Sequence, residues 1–497
     1  MSDVLEAALD RAHALGASHA DARSMSTRTG AMSMRDARLE ASVDQRDSGV
    51  GVRVIVDGCW GFAAADSASD STAGAALAER AVALARQNAA LTTRRVELAA
   101  EPVHVGEWAG PLGIDPFSVP EAERAALLSE RSTALLADPR IAHADARLAH
   151  VREEVEYADT SGARIHQVRF RIEAEWSATI VDETLGRFDT VATTAPPTAR
   201  GWEYVTGECA SSGGARRWDW DEELDRLPDV VAEKIAAPGV EPGRYTLVID
   251  PTNLWLTIHE SIGHATELDR ALGYEANYAG TSFATPDLLG TLRYGSPLMN
   301  VTGDREAAYG LATVAWDDEG VAAQRWDLIR DGVLVGYQLD RAMAAEMGMP
   351  RSNGCAYADS GLHIPIQRMP NVSLQPDPLG GSTESLISGI EDGIYIVGDR
   401  SWSIDMQRYN FQFTGQAFYR IRAGRLAGQV RDVAYQSRTP DFWGSLVALG
   451  GPQTYLLGGA LNCGKGQPGQ VAAVSHGCPA AVFDNVNVLN SAREAGS

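Results

Sequence analysis

Positive charge is what this sequence has least of. Lys and Arg total 43 against 66 Asp and Glu, a formal net charge of −23 over 497 residues. A polyanion would meet general repulsion, and no basic stripe with interleaved aromatics offers a local exception, so no nucleic-acid partner is expected. Long apolar runs are missing too. None approaches the ~20 residues that span a bilayer, so no membrane partner is expected. The first residues, MSDVLEAALDRAHALG, lack a basic region followed by an apolar core, and no secretory signal is read there. Cysteine is sparse: Cys59, Cys209, Cys355, Cys463 and Cys478 are scattered and odd in number. That is no disulfide framework and suits a reducing compartment, so a cytoplasmic protein is expected.

The length allows two or three domains with sizeable cores. Residues 2–15 have helical spacing, with Val4, Leu5, Ala8 and Ala12 on one side. Alternating segments follow at 20–26, 31–40 and 49–64. In the last, Val50, Val52, Val54 and Val56 alternate with Gly and Arg up to an Asp57-Gly58 hairpin turn. Residues 73–87 read as an Ala-rich helix. Ser118-Val-Pro-Glu121 has capping-box spacing and opens a helix to about Ala137. From 141 to 181 two long alternating arms flank a Ser161-Gly162 turn, and a helix spans about 221–236. The Pro/Gly cluster at 238–243 marks a boundary. The chain is therefore read as α+β. Residues 1–240 form an N-terminal α/β domain, with helices on a mixed, mainly antiparallel sheet and without evident catalytic chemistry. Residues 241–497 form a large antiparallel-rich β domain that carries a histidine helix, a short helix near 340–347, and a Gly-rich loop system at 450–470.

That histidine helix, Pro251–Leu272, holds the chemistry. Asp250 or Asn253 is placed to cap it, and Leu254, Ile258, Ile262, Ala265 and Leu272 mark one core face. His259, Glu260 and His264 sit at its centre. In the familiar zinc-peptidase pattern the histidines stand at i and i+4. Here they stand at i and i+5, about 140° apart on a straight helix at ~100° per residue. They can share a metal only if the helix is distorted, and Gly263 is the residue read as permitting it. A hydrolytic zinc takes three protein ligands and leaves a position for water, whose pKa it lowers. Glu260 is placed to take the water's proton. On chemistry alone the third ligand is open among Cys463, Cys355, Cys478, His363, His476 and Glu267. Cys463 is favoured by its glycine-rich surroundings.

HESIGHATELDRALGYEANYAGTSF resembles the core of the TldD/PmbA family of metallopeptidases, on its metal-bearing side. WDDEGV (316–321), LIRDGVLVGYQLDR (328–341), RSNGCAYADS (351–360), GIYIVGDRSWSIDMQRYNFQF (393–413) and NCGKGQPGQ (462–470) continue the likeness in order. The resemblance implies one zinc ion per catalytic subunit held by His259, His264 and Cys463, with Glu260 as base. His476 and Gly263 then stand as residues touching the ligands or the substrate. It also implies a short or unfolded peptide substrate, bound in extended form. The subunit is expected to pair as a homodimer, or as a heterodimer with a metal-free paralogue, the N-terminal domain shaping the chamber. A non-catalytic peptide-binding or regulatory subunit, and an amide hydrolase maturing one peptide-derived metabolite, are the alternatives.

Overall fold

The computed structural model describes residues 2–66, 68–184 and 186–494. Its first half is organised by two long strands. β1 (His19–Arg35) and β2 (Arg38–Val56) form one antiparallel hairpin, where alternation in the sequence marked only separate segments. The difference has a simple cause: every residue of β2 from 38 to 48 is exposed. That arm has no buried face, and the alternation of Leu39, Ala41 and Val43 stops short, leaving 44–48 wholly polar. A left-handed turn at Asp57 and Gly58 (φ 52° and 70°) leads into β3 (Cys59–Ala65). With β4 (Val105–Ala109), β5 (His143–Asp159), β6 (Arg164–Asp182) and β7 (Arg187–Ala192) they make a seven-stranded sheet. Its order is β3-β2-β1-β5-β6-β4, with β7 also on β6; β4 runs parallel to β6 and the other pairs are antiparallel.

Helices cover one face. α1 (Asp3–Ala14) and α2 (Ser71–Leu91), the latter capped by Asp70, pack Val4, Leu5, Leu77 and Val82 onto Val50, Val52, Val54 and Val56. α3 (Glu121–Leu136) and α4 (Trp220–Ala236) pack Leu128 and Val231 around the fully buried Trp176. Ser118 does not cap α3 as its spacing suggested. Pro120 occupies the cap position, and the Ser118 hydroxyl donates to the Asp115 carbonyl (2.7 Å) in the preceding turn.

The opposite face is ionic and docks the second half of the chain. Arg23 on β1 donates to Asp318 (3.0 Å), and Arg53 on β2 bridges Asp21 and Glu319 (2.9 Å each), all five side chains being buried. Arg171 on β6 pairs with Glu153 (3.0 Å), which also accepts from the Tyr357 hydroxyl (3.1 Å). The alternation of Val with Gly and Arg in β2 now has a physical reason. A Cβ on Gly51 would lie 2.7 Å from the Gly361 carbonyl, so glycine allows the later loop to close on the sheet while Arg53 reaches past it.

The second half is a small barrel with additions. β8 (Gly243–Ile249), β9 (Asp392–Ile404), β10 (Asn410–Arg422), β11 (Val433–Arg438) and β14 (Ala481–Asn490) join in the order β9-β8-β14-β11-β10, and β10 pairs back to β9 to close the ring. β8 and β9 are parallel and the remaining ring pairs antiparallel. β12 (Leu456–Lys465) and β13 (Gln470–Cys478) form a separate hairpin. The 450–470 stretch was expected to be loop, and most of it is strand. Gly458 and Gly459 answer to crowding rather than to turns: a Cβ on Gly458 would lie 2.6 Å from the Trp255 ring, and one on Gly459 2.3 Å from the Val474 carbonyl oxygen. The expected short helix is Arg341–Glu346, capped by Asp340. The fold is thus α+β, and α5 (Pro251–Ile258) shares one core with barrel residues Ile394, Phe413, Tyr435 and Phe483. No helix among the described residues is long and apolar enough to cross a membrane.

Removing one partner from the buried docking face strands the other charge. Arg23→Ala should therefore cost about 3–5 kcal/mol in urea unfolding, whereas Arg140→Ala on the exposed surface should stay within about 0.5 kcal/mol. Equal midpoints for the two variants would show that the ionic face does not hold the halves together.

Candidate metal centre

The chain enters the site from β8 through a well-built helix start. The Asp250 carboxylate accepts from the Thr252 backbone N–H (3.0 Å) and hydroxyl (2.7 Å), and Pro251 supplies a pre-set φ in the first turn. Asn253, the other capping candidate, instead donates to the Gly398 and Thr414 carbonyls (2.9 Å each) and ties the helix to the barrel. After Ile258 the helix changes pitch. His259–Gly263 is a π turn, in which the His264 N–H donates to the His259 carbonyl, and His264–Thr266 tightens to a 3₁₀ turn. In a π turn the hydrogen bond runs from i to i+5, so residues five apart stack. The two imidazoles consequently face each other, with centroids 4.7 Å apart and planes at 73°.

A π turn leaves carbonyls poorly aligned, and here side chains take them up. The Tyr294 hydroxyl donates to the Ser261 carbonyl, Gln338 Nε2 to the Gly263 carbonyl, and Thr266 Oγ1 to the Ile262 carbonyl (2.8 Å). Trp443 Nε1 donates to Ser261 Oγ (2.9 Å). The segment is not amphipathic as its spacing suggested. Residues 251–270 are buried on all sides apart from the half-buried Trp255, whereas Leu272, expected in the core, is exposed. Gly263 also has a different reason for being glycine. Its φ of −51° and ψ of −62° suit any residue, but a Cβ there would lie 2.5 Å from Met369 Sδ. Close packing, not backbone freedom, requires it.

His259, His264 and Cys463 meet at this point: one ligand atom from each lies within 4.8 Å of the others, and all three residues are buried. Cys463 arrives on β12 beside a bulge between Ala460 and Cys463, and its Sγ lies 3.7 Å from His264 Nε2. Hydrogen bonds fix which nitrogen each imidazole offers. His476 Nδ1–H donates to the Val372 carbonyl (2.9 Å), which leaves its Nε2 to accept from His259 Nδ1–H (2.8 Å). His259 Nε2 is thereby left with a free lone pair. Likewise His264 Nδ1–H donates to Glu267 Oε2 (2.9 Å), which frees Nε2 on the side of Cys463. Lys465 in turn holds Glu267 Oε1 (3.2 Å) and Asp269 (2.8 Å).

The electrostatics match this donor set. Burial would raise the Cys463 thiol, but His259 and Arg368 outweigh it and the thiol is lowered. Burial opposes charge on His259, yet the neighbouring Cys463 raises its pKa, the counterpart of the lowering that His259 gives the thiol. Burial drives His264 well below its ordinary value despite Glu267, keeping it neutral. Two imidazoles and one thiolate, with the remaining side open to a cleft of about 660 Å³, are the donor chemistry and open position of a catalytic zinc site.

The other candidates lie elsewhere. Cys355 is a buried thiol pushed up to about 12 by burial. Cys478 faces the Pro251 carbonyl (Sγ···O 3.7 Å), and burial then Asp250 push its thiol well up. His363 pairs with Asp359 (2.6 Å) at the surface. Glu267 and His476 touch the histidines instead of joining the cluster. Glu260 opens on the cleft, with Oε2 accepting from Arg408 Nη1 (2.6 Å). Arg408 and Lys465 were not anticipated from sequence; the i, i+3 spacing of His264 and Glu267 was the signal available for Glu267's orienting position. The N-terminal half also contributes: Glu173 and Glu175 of β6 and the 190–197 segment line the same cleft.

If Glu267 orients His264, Glu267→Gln should weaken zinc affinity about 10–100-fold in chelator competition while the far-ultraviolet circular dichroism stays unchanged. Unaltered affinity would remove Glu267 from the centre.

Comparison with known proteins agrees with this geometry. Profiles of the PmbA/TldA metallopeptidases match in order: domain 1 over residues 20–85, the central domain over 114–237 and the C-terminal domain over 242–490. A protein of Methanothermobacter thermautotrophicus named metalloprotease is 26% identical over 464 residues, covering 93% of each chain. A zinc metalloprotease TldD homolog of Saccharolobus solfataricus is 25% identical over 223 residues, 45% of this chain and 47% of that one. The crystal structure of TldE from Thermococcus kodakarensis shares the fold, with a TM-score of 0.67 at 16% identity over 98% of this chain and 99% of that chain. With its three domain profiles in order and a His-His-Cys cluster in the C-terminal part, this chain belongs to the PmbA/TldD metallopeptidase family.

Proposed function

We propose that this protein is a zinc-dependent peptidase cutting peptide bonds in short or unfolded peptides. The observation that carries the reading is the convergence of His259, His264 and Cys463 beside Glu260 at the floor of one cleft. The name of the Saccharolobus relative supports zinc as the metal. When bound, zinc supplies Lewis-acid polarisation of a carbonyl and acidification of water. The chain's own residues do the rest. Glu260 Oε1, free of any hydrogen bond among the described residues, takes a proton from water and passes it to the leaving amine. His476 and Glu267 hold the two imidazoles in the tautomers that present Nε2.

Substrate enters as an extended strand. Among the described residues β12 pairs in its sheet with β13 alone; on its outer edge the Leu457 N–H donates to the Gly214 carbonyl (2.9 Å), and the following Gly458, Gly459 and Ala460 line the cleft. Main-chain hydrogen bonding along that edge gives affinity with little demand on side chains. The reacting groups are buried, which favours short or unfolded chains over folded proteins. In this reading residues 1–240 shape access and 241–497 carry the chemistry. The subunit pairs with a second copy or a metal-free paralogue, for which the exposed 38–48 edge of β2 is available. Five free, buried cysteines favour the cytoplasm.

Glu260→Gln should keep its metal and lose about 10²–10⁴ in turnover on denatured casein and unstructured peptides read by mass spectrometry. Cleavage by this variant at the wild-type rate would remove Glu260 as base. Absence of cleavage by the zinc-loaded wild type would favour a peptide-binding subunit.

A further inference from the structure

Glu260 stands next to His259 in the π turn, and that proximity poses a problem for the peptidase reading. Its carboxylate opens on the same cleft as the cluster, and carboxylates are themselves zinc ligands, so on the metal it would occupy the position that water needs. Something must hold the carboxylate in place. The structure offers one group for this, Arg408, whose Nη1 donates to Glu260 Oε2 at 2.6 Å, with side chains only 13% and 8% exposed. We propose that Arg408 is a positioning residue, which grips Glu260 by Oε2, leaves Oε1 for the reacting water and keeps the carboxylate off the metal.

The backbone around Arg408 is built for aiming. Arg408 lies in the tight turn between β9 and β10 with φ of +62°, a left-handed conformation that side-chain-bearing residues avoid and glycine or asparagine accepts. An arginine held there is the backbone observation that motivates a role for its side chain. The conformation is over-determined. Asp405 Oδ1 accepts from the Gln407 and Tyr409 backbone N–H groups (3.0 and 2.8 Å), while Oδ2 accepts from the Asn410 N–H (3.0 Å) and side-chain amide (2.6 Å). The buried Thr439 hydroxyl donates to the Arg408 carbonyl (2.7 Å). From the other side the Thr281 and Phe283 N–H groups donate to the Met406 and Gln407 carbonyls (2.8 and 3.0 Å). Gly280, at φ +92°, permits this approach, since a Cβ there would lie 2.0 Å from the Met406 carbonyl oxygen. The turn thus spends a strained residue and a dense set of hydrogen bonds on the direction of one guanidinium. A buried ion pair is weak evidence for stability by itself, and together with the strain it points to a positional role.

The inference rests on the peptidase reading, and two measurements separate their failures. In Arg408→Ala, zinc stoichiometry should match wild type, kcat should fall about hundredfold, and KM should stay within about threefold. Arg408→Lys, which keeps the charge, should recover part of kcat. With cobalt(II) in place of zinc, the visible spectrum of Arg408→Ala should differ from wild type because Glu260 moves onto the metal, and Arg408→Ala/Glu260→Gln should restore the wild-type spectrum. A rise in KM with unchanged kcat would overturn the proposal and make Arg408 a substrate-binding group. A cobalt spectrum identical to wild type would overturn it as well. If the wild type cleaves no peptide, the peptidase reading fails while the cobalt comparison still decides the place of Arg408.

Discussion

One hydrogen bond sets the site: the His264 N–H to the His259 carbonyl, five residues back instead of four. In an α-helix these imidazoles would diverge; the π register turns them toward each other, and everything else accommodates that register. It frees carbonyls that Tyr294, Gln338 and Thr266 satisfy, and it requires a glycine at 263 so that Met369 and His476 can close in. The price is a segment buried on nearly every side, in which each polar group needs a partner. That constraint explains why the helix is sunk against a closed barrel rather than laid on a surface.

Around the π turn, order passes outward in two directions. Val372 fixes His476, which fixes His259; Lys465 fixes Glu267, which fixes His264. Lys465 and Cys463 lie on the same strand, β12, so one hairpin delivers the thiolate, braces one imidazole and presents the cleft edge. The N-terminal sheet closes over this arrangement largely through buried charges, beside one apolar cluster in which Trp316 packs on Tyr157, Ala163 and Ile165. Arg23 and Arg53 engage Asp318 and Glu319, and the same sheet brings Glu173 and Glu175 to the cleft. Fold and site are therefore coupled by buried polar groups, whose removal one at a time is costly.

Much of the centre could be read in the sequence because its signals are local or chemically specific. The i, i+5 spacing of His259 and His264 demands a distorted helix, and a cysteine among glycines invites close approach. Signals that depend on distant contacts could not be read. Gly263 looked like backbone freedom because the sequence does not show Met369 beside it. Arg408, 148 residues from Glu260, carries no mark except a turn whose left-handed residue is unexpectedly arginine. The Gly458–Gly459 strand resembled a loop, since Trp255 and the neighbouring strand that exclude side chains there are absent from the local pattern. The exposed arm of β2 alternates only over Leu39, Ala41 and Val43 and is polar from 44 to 48, because neither of its faces is buried.

The three-residue centre can be tested most directly by X-ray absorption at the zinc edge, on protein purified without chelators. The spectrum should show one sulfur at ~2.3 Å and nitrogen at about 2.0–2.1 Å, with the sulfur shell lost in Cys463→Ala. A zinc shell of nitrogen and oxygen alone in the wild type, or a sulfur shell that survives Cys463→Ala, would contradict it.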